Sequence, residues 1–286
     1  MQHTKKKENE WDLVLKPKVG WFDIDLIELW RFRDLTGMFV KRDFVTLYKQ
    51  TILGPLWYII QPLFTTLIFT VIFGRVAKIP TDSIPPFIFY MAGNVMWAYF
   101  SGTLNSTAGT FNSNAGIFGK VYFPRLTVPI ATVVVNFLQF SIQLVLFLAF
   151  YVYFISKGAP IQPTLWIIAV PVLLFQMALL SFGLGILLSS MTTKYKDLKF
   201  AMAFFIQLWM YATPIVYPLS QVPDKYLPLY ILNPMVALVE CFRYAFFGTS
   251  AIQLNHIVIS WVVTLFLLIA GIILFSRIEK TFMDTV

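Results

Sequence analysis

The stretch from Thr51 to Gly74, TILGPLWYIIQPLFTTLIFTVIFG, holds no charged side chain. As a helix rising about 1.5 Å per residue it reaches roughly 36 Å, enough to cross a hydrocarbon core of about 30 Å with some tilt. Lys41, Arg42 and Lys49 precede it, and cations flanking a first span favour the cytoplasmic side. The stretch therefore predicts a membrane protein and sets an orientation that later spans follow. Composition agrees: 58% of residues are apolar and 13% charged, where an ordinary soluble domain is about a quarter charged. The net charge of +8 sits at span ends rather than on one face, so membrane topology accounts for it and no nucleic-acid partner is expected. One cysteine, Cys241, excludes an internal disulfide, and with His3 far from His256 no metal site is expected. The first fifty residues lack the apolar core of a secretory signal, which predicts no cleaved signal peptide.

The predicted fold is an all-α integral membrane protein: a cytosolic or interfacial segment over 1–50, then a six-span domain over 51–286. Asp23 to Asp34 reads as a short amphipathic helix, with Leu26, Ile27 and Trp30 on one face. It suits either the membrane interface or a packing site on its own protein. Gly37 is expected to break it, a second helix to run to Thr51, and Gly54-Pro55 to kink the start of the first span. Further spans are predicted at about Phe87–Gly109, Leu126–Ile155, Thr164–Ser190, Phe200–Tyr217 and Leu254–Ser276. With six spans both termini are cytoplasmic, and seventeen of the 22 Lys and Arg then fall inside. Pro234 to Gly248 would reach only about 22 Å as a helix, with Glu240 and Arg243 in its middle. Each charge at a bilayer centre costs about 2.5–3.5 kcal/mol. A re-entrant helix in an external hairpin, with the two charges paired at i, i+3, is cheaper than a seventh span.

None of the six spans contains Asp, Glu, Lys or Arg. Ion-driven transporters place an ionisable group in the membrane to bind the coupling ion, so here the driving energy is expected from outside the membrane. The chain has no phosphate-cradling loop of its own: Gly116 to Val121 is too short and Val121 stands where a hydroxyl is needed. What the spans carry is uncharged polarity at helical spacing. Trp57, Gln61 and Phe64 share a face of the first; Tyr90, Asn94, Trp97, Ser101 and Asn105 follow one face of the second. Asn136, Gln139 and Gln143 mark the third, Gln176 the fourth, and Gln207, Tyr211 and Pro214 the fifth. Each amide alone suits an inter-helix hydrogen bond, and each Tyr or Trp suits the headgroup level. Together they also suit sugar rings, whose hydroxyls surround an apolar face. A second feature is the short inside loop Asn112–Arg125, which carries Ile117, Phe118, Val121, Tyr122 and Phe123. Exposed apolar residues there read as a docking knob for another protein, or as a segment dipping into lipid.

Four motifs in order resemble a known family: Leu53-Gly-Pro-Leu-Trp57, Asn114-Ala-Gly-Ile-Phe-Gly-Lys120 followed by Tyr122-Phe-Pro-Arg125, Thr213-Pro-Ile-Val-Tyr-Pro218, and Leu232-Asn-Pro234. They are similar to the type-two ABC exporter permeases, and more narrowly to those exporting O-antigen, capsule or teichoic acid, from about Phe39 to the C-terminus. The resemblance implies a homodimer working with two separate ATPase subunits that bind the ATP and Mg, so this chain itself takes no cofactor and is not an enzyme. Its substrate would be a glycan on undecaprenyl pyrophosphate, moved out across the bacterial inner membrane. By family pattern Asn114, Ala115, Gly116, Ile117, Phe118, Gly119 and Lys120 would couple to the ATPase. The external hairpin with Glu240 and Arg243 would be the gate, and aromatics of the first and fifth spans would line the channel. The alternatives are a type-two permease for drugs or lipids and an ion-coupled flippase. A membrane transferase has only Glu240 to offer.

Overall fold

The computed structural model describes residues 26–49, 53–195, 197–249 and 252–281. Both termini, Asp23 to Asp25 of the amphipathic segment, and Thr51 lie outside the described residues. Among those described the secondary structure is helical: α1 (Leu26–Arg31), α2 (Arg33–Lys49), α3 (Trp57–Phe69), α4 (Pro86–Ala108), α5 (Thr110–Phe118), α6 (Thr127–Ser156), α7 (Val170–Lys194), α8 (Leu198–Tyr211), α9 (Leu227–Ile231), α10 (Pro234–Phe247) and α11 (Leu254–Thr281). A 3-10 turn at Gly54–Leu56 leads into α3, and a π-helical stretch, Thr70–Val76, continues it. Gly54 takes a φ of +49°, which a residue without a Cβ adopts at little cost.

Four helical stretches are long and apolar enough to cross a membrane: Gly54–Val76, Thr127–Ser156, Leu165–Thr193 and Leu254–Glu279. They match the first, third, fourth and sixth predicted spans within a few residues. The second, α4, has comparable length at 23 residues, but Gly93, Asn94, Ser101, Gly102, Thr103 and Asn105 dilute its apolarity. Its place explains why that is tolerated: every residue from Ile88 to Trp97 is buried, between α3, α6 and α7. The fifth is shorter than predicted. α8 stops at Tyr211 rather than Tyr217, because Pro214 and Pro218 remove backbone donors and turn the chain out of the helix.

The helices run back and forth between two ends. At the α10 end lie the first turns of α4, α7 and α11 and the last turns of α6 and α8. At the α5 end lie α2 and the opposite termini. Each end has its own buried apolar cluster; the larger is built on α4, α7 and α10, and the smaller comprises Phe39, Phe111, Phe118, Phe123, Val128, Ala131, Ile186 and Phe275.

Lipid tails are as apolar as Leu, so helices in a membrane gain by close approach and by hydrogen bonds rather than by hydrophobic exclusion. The α7–α11 crossing uses both. A Cβ on Gly271 would lie 2.2 Å from the Gly183 carbonyl oxygen, so the backbones touch. Above that contact the buried Gln176 donates to Ser260 Oγ at 2.8 Å. Gly185 likewise admits Thr107 of α4, 2.5 Å from where its Cβ would be.

Gly37 does not break a helix; it sits within α2, and the interruption falls at Phe32. A helical glycine costs about 1 kcal/mol, which the packing of α2 on α6 outweighs. Leu35 and Phe39 of that helix turn toward the protein, whereas Ile27, Trp30 and Met38 are exposed. Within the predicted amphipathic segment, Ile27 and Trp30 are thus open and Phe32 packs inward, while the firmer packing falls on α2 beyond it.

Candidate functional site

The α10 end is built around α10, of which nearly every residue is buried. Asn233 starts the helix in extended conformation, its Oδ1 accepting from Met235 N at 3.1 Å. Pro234 follows in the first turn, where the missing N–H is no loss. The same Oδ1 accepts from Trp209 Nε1 at 2.9 Å, while Nδ2 donates to the Ala212 carbonyl at 3.1 Å and to Thr213 Oγ1 at 3.0 Å. One amide therefore ties α10 to the end of α8. At the other terminus Gly248 closes α10 with φ +75°. Neighbouring elements supply the missing donors: Thr164 N, in the segment before α7, reaches the Ala245 carbonyl at 3.0 Å, and Tyr151 Oη of α6 the Phe246 carbonyl at 2.7 Å.

Glu240 and Arg243 pair at 3.1 Å, in the i, i+3 arrangement the sequence predicts, and both are buried. Arg243 is only 2% exposed. Its Nη1 also donates to the Pro214 carbonyl, its Nη2 donates to the Ile215 carbonyl at 2.9 Å, and its guanidinium lies 3.7 Å from the Phe89 ring centre. Burying an unpaired ion costs several kcal/mol; here a carboxylate, two carbonyls and a ring face offset that cost. Burial pushes the neighbouring Cys241 thiol up to about 12, and Glu240 adds to the shift, so this cysteine is an unreactive thiol.

The eight residues predicted for a path fall into two groups. Trp57, 50% exposed, stands on the surface of α3 with Gln61 and Phe64, and Gln207 and Tyr211 stand on the surface of α8. Tyr90, Asn94 and Trp97 are buried in α4. Asn94 Nδ2 reaches Thr66 Oγ1 of α3 at 3.4 Å, Tyr90 meets Phe69 and Phe73, and Trp97 meets Phe100. Among the described residues α3 packs chiefly on α4 and α6 rather than on α8. Tyr211 is fixed by its own carbonyl, which accepts from Tyr217 Oη at 2.7 Å.

At the α5 end, Asn114 to Phe118 lie in α5, and Gly119 and Lys120 follow it. Phe118 is not an exposed knob: it is 5% exposed, its ring 6.1 Å from Phe111 and 5.7 Å from Phe123. A helix repeats every 3.6 residues, so Phe111 and Phe118 share its inner face. Phe123 is buried too, while Asn114, Ala115 and Ile117 are half-buried. The open apolar residues are Val121 and Tyr122, 60% and 56% exposed, flanked by exposed Gly116, Gly119 and Lys120. Their mount is firm. Phe111 N donates to Ser189 Oγ of α7 at 3.3 Å, Arg125 Nη1 donates to the Glu279 carbonyl near the end of α11, and Tyr122 Oη donates to Glu28 of α1 at 3.1 Å. For Arg125, burial pulls the guanidinium down from its ordinary range and Glu279 pulls it back up. Only the Asn-Pro pair itself marks the Asn233 hub in the sequence.

Residues 35–247 match the family described as ABC-2 type transporter. The chain is 26% identical over 254 residues to the O-antigen export system permease protein RfbA of Klebsiella pneumoniae, covering 88% of this chain and 94% of that one. It is 26% identical to the protein of the same name from Myxococcus xanthus, covering 91% and 98%. It is 25% identical to the polysialic acid transport protein KpsM of Escherichia coli, covering 85% and 93%.

Proposed function

Because the chain belongs to the ABC-2 type transporter family, we propose that it is the permease subunit of an ATP-driven exporter of lipid-linked polysaccharide such as O-antigen. The printed functions of its relatives, matched over nearly their whole length, support the substrate class. The four long apolar helices support a multi-pass membrane protein. In our reading α4 and α8 complete six spans, α9 and α10 form the external hairpin, and both termini lie in the cytoplasm of a bacterial inner membrane. ATP is hydrolysed by two partner subunits that dock at the α5 end, and a second copy of this chain completes the path. The substrate lipid is undecaprenyl pyrophosphate.

The observation that carries this reading is the uncharged aromatic and amide surface on α3 and α8. Trp57, Gln61, Phe64, Gln207 and Tyr211 face outward where a lipid-facing helix would gain more from Leu or Ile. Sugar rings stack on such aromatics and bond to such amides without a charge. Tyr90, Asn94 and Trp97 support that wall from behind. Because Trp57 is half exposed, removing it costs the fold much less than the roughly 3–5 kcal/mol of a buried large ring. Trp57→Ala and Tyr211→Ala are therefore expected to leave assembly and ATP hydrolysis largely intact while surface glycan per assembled permease falls several-fold. Export that declines only in step with the amount of assembled protein would overturn the path assignment.

A further inference from the structure

The α10 end joins two features that sequence reasoning treats separately: the break after α8 and the charged pair in α10. From Ala212 to Pro218 the chain is not helical, so its carbonyls have no partners of their own within a helix. Side chains from α10 supply them. Asn233 takes the Ala212 carbonyl, and Arg243 takes those of Pro214 and Ile215. Arg243 is in turn fixed by Glu240 and by the Phe89 ring of α4. The position of Gly93 leaves no slack. A Cβ there would lie 3.0 Å from Ile215 and 3.1 Å from Arg243 Nη2, so α4, the 212–218 segment and α10 meet at contact distance. Outside this knot Ser220 Oγ donates to Asp82 Oδ1 at 2.9 Å, tying the turn after Pro218 to the loop before α4.

We propose that Arg243 and Glu240 are a fixed clamp and not an ion pair that opens: α4, residues 212–220 and α10 stay together during export, and Arg243 is a positioning residue that, through the segment after α8, holds Tyr211 at the path. An opening pair would have to strip a buried guanidinium of its carboxylate, two carbonyls and a ring face at once in every cycle. Residues 222–232 with α9 lie outside the clamp, with Tyr226, Leu229 and Leu232 exposed, and meet it through Tyr230, whose hydroxyl lies 2.5 Å from Tyr217 Oη. Arg243 is required for its planar fork, which reaches two carbonyls and a carboxylate together; an ammonium cannot cover all three.

The proposal rests on the export reading above, but its test reads motion of the α10 end whether or not Trp57 and Tyr211 touch sugar. Asp82→Cys and Ser220→Cys are combined with Cys241→Ala, oxidised, and assayed for surface glycan before and after reduction. Export by the oxidised form equal to its reduced control is expected. A block that appears on oxidation and reverses on reduction would overturn the clamp. If the reduced pair is itself inactive, the decision passes to two further variants. Arg243→Lys keeps the ion pair but loses the fork, and is expected to cut export several-fold while the assembled complex hydrolyses ATP normally. Glu240→Gln keeps the carbonyl bonds but leaves the buried guanidinium without its countercharge, and is expected to lower the amount of assembled permease and export together. Arg243→Lys exporting normally would overturn the clamp and assign the pair to opening.

Discussion

Asn233 shows how much one side chain carries in a membrane protein. Its amide uses both hydrogen-bonding ends: the oxygen caps α10 and holds Trp209, and the nitrogen holds the last turn of α8. Removing it takes the partner from the part-buried Trp209 Nε1 and Thr213 Oγ1, at about 1 kcal/mol for each hydrogen bond, besides about 0.5–2 kcal/mol for the lost cap. Asn233→Ala is therefore expected to lower the midpoint of thermal unfolding in detergent by several degrees. Asn233→Asp, which keeps the acceptor and loses the donor to the Ala212 carbonyl, is expected to fall between the two. Equal midpoints for Asn233→Asp and Asn233→Ala would mean that the donor end, and so the link to α8, carries the stability. At this scale the sequence was legible only in part. Glu240 and Arg243 announce their pairing by spacing. Gln176 cannot announce its partners, because Ser260 and Thr264 lie on a distant helix and look like any other small polar residues.

Elements were more legible, for a physical reason. Length and apolarity are local properties, so Leu126–Ile155 and Leu254–Ser276 correspond closely to α6 and to the body of α11. Orientation within a short helix is not local. Composition marks Ile117, Phe118, Val121, Tyr122 and Phe123 alike, yet α5 turns Phe118 inward onto Phe111, and only Val121 and Tyr122 remain open. Phe118 packs inward rather than standing open as its composition predicts, because a nine-residue helix needs an apolar face of its own to hold it against α7. The docking test changes accordingly. Asp at Phe118 would unpack the small cluster and report stability. Val121→Asp with Tyr122→Asp touches little of the core, and is expected to weaken co-purification of the ATPase by about tenfold or more, the effect of about 1.4 kcal/mol. Tyr122→Phe separates contact from the Glu28 hydrogen bond and is expected to bind normally. Full ATPase recovery with the Asp pair would assign Val121 and Tyr122 to lipid instead.

For the whole molecule the governing question is which end faces which side. Four stretches qualify as spans on composition; in the proposed arrangement α4 and α8 cross as well, which makes six and puts both termini on one side. The cation count points the same way: Lys120 and Arg125 lie at the α5 end together with Arg31, Arg33, Lys41, Arg42 and Arg277, whereas the α10 end holds few cations and buries one of them, Arg243. Cations resist transfer across an energised membrane, which supports the proposed cytoplasmic placement of the α5 end. Two exposed positions test this directly. Tyr226, at the start of α9, and Val121, beyond α5, are both open and sit at opposite ends. In a Cys241→Ala background, Tyr226→Cys is expected to react with a membrane-impermeant maleimide in intact cells with the outer membrane opened. Val121→Cys is expected to react only after the inner membrane is permeabilised. Labelling of both before permeabilisation would put the two positions on one side and, since the crossings of α6 and α7 cancel, would mean that α8 does not cross. Labelling of Val121→Cys alone would invert the molecule, put the clamp in the cytoplasm, and remove the α5 end as the place where an ATPase could dock.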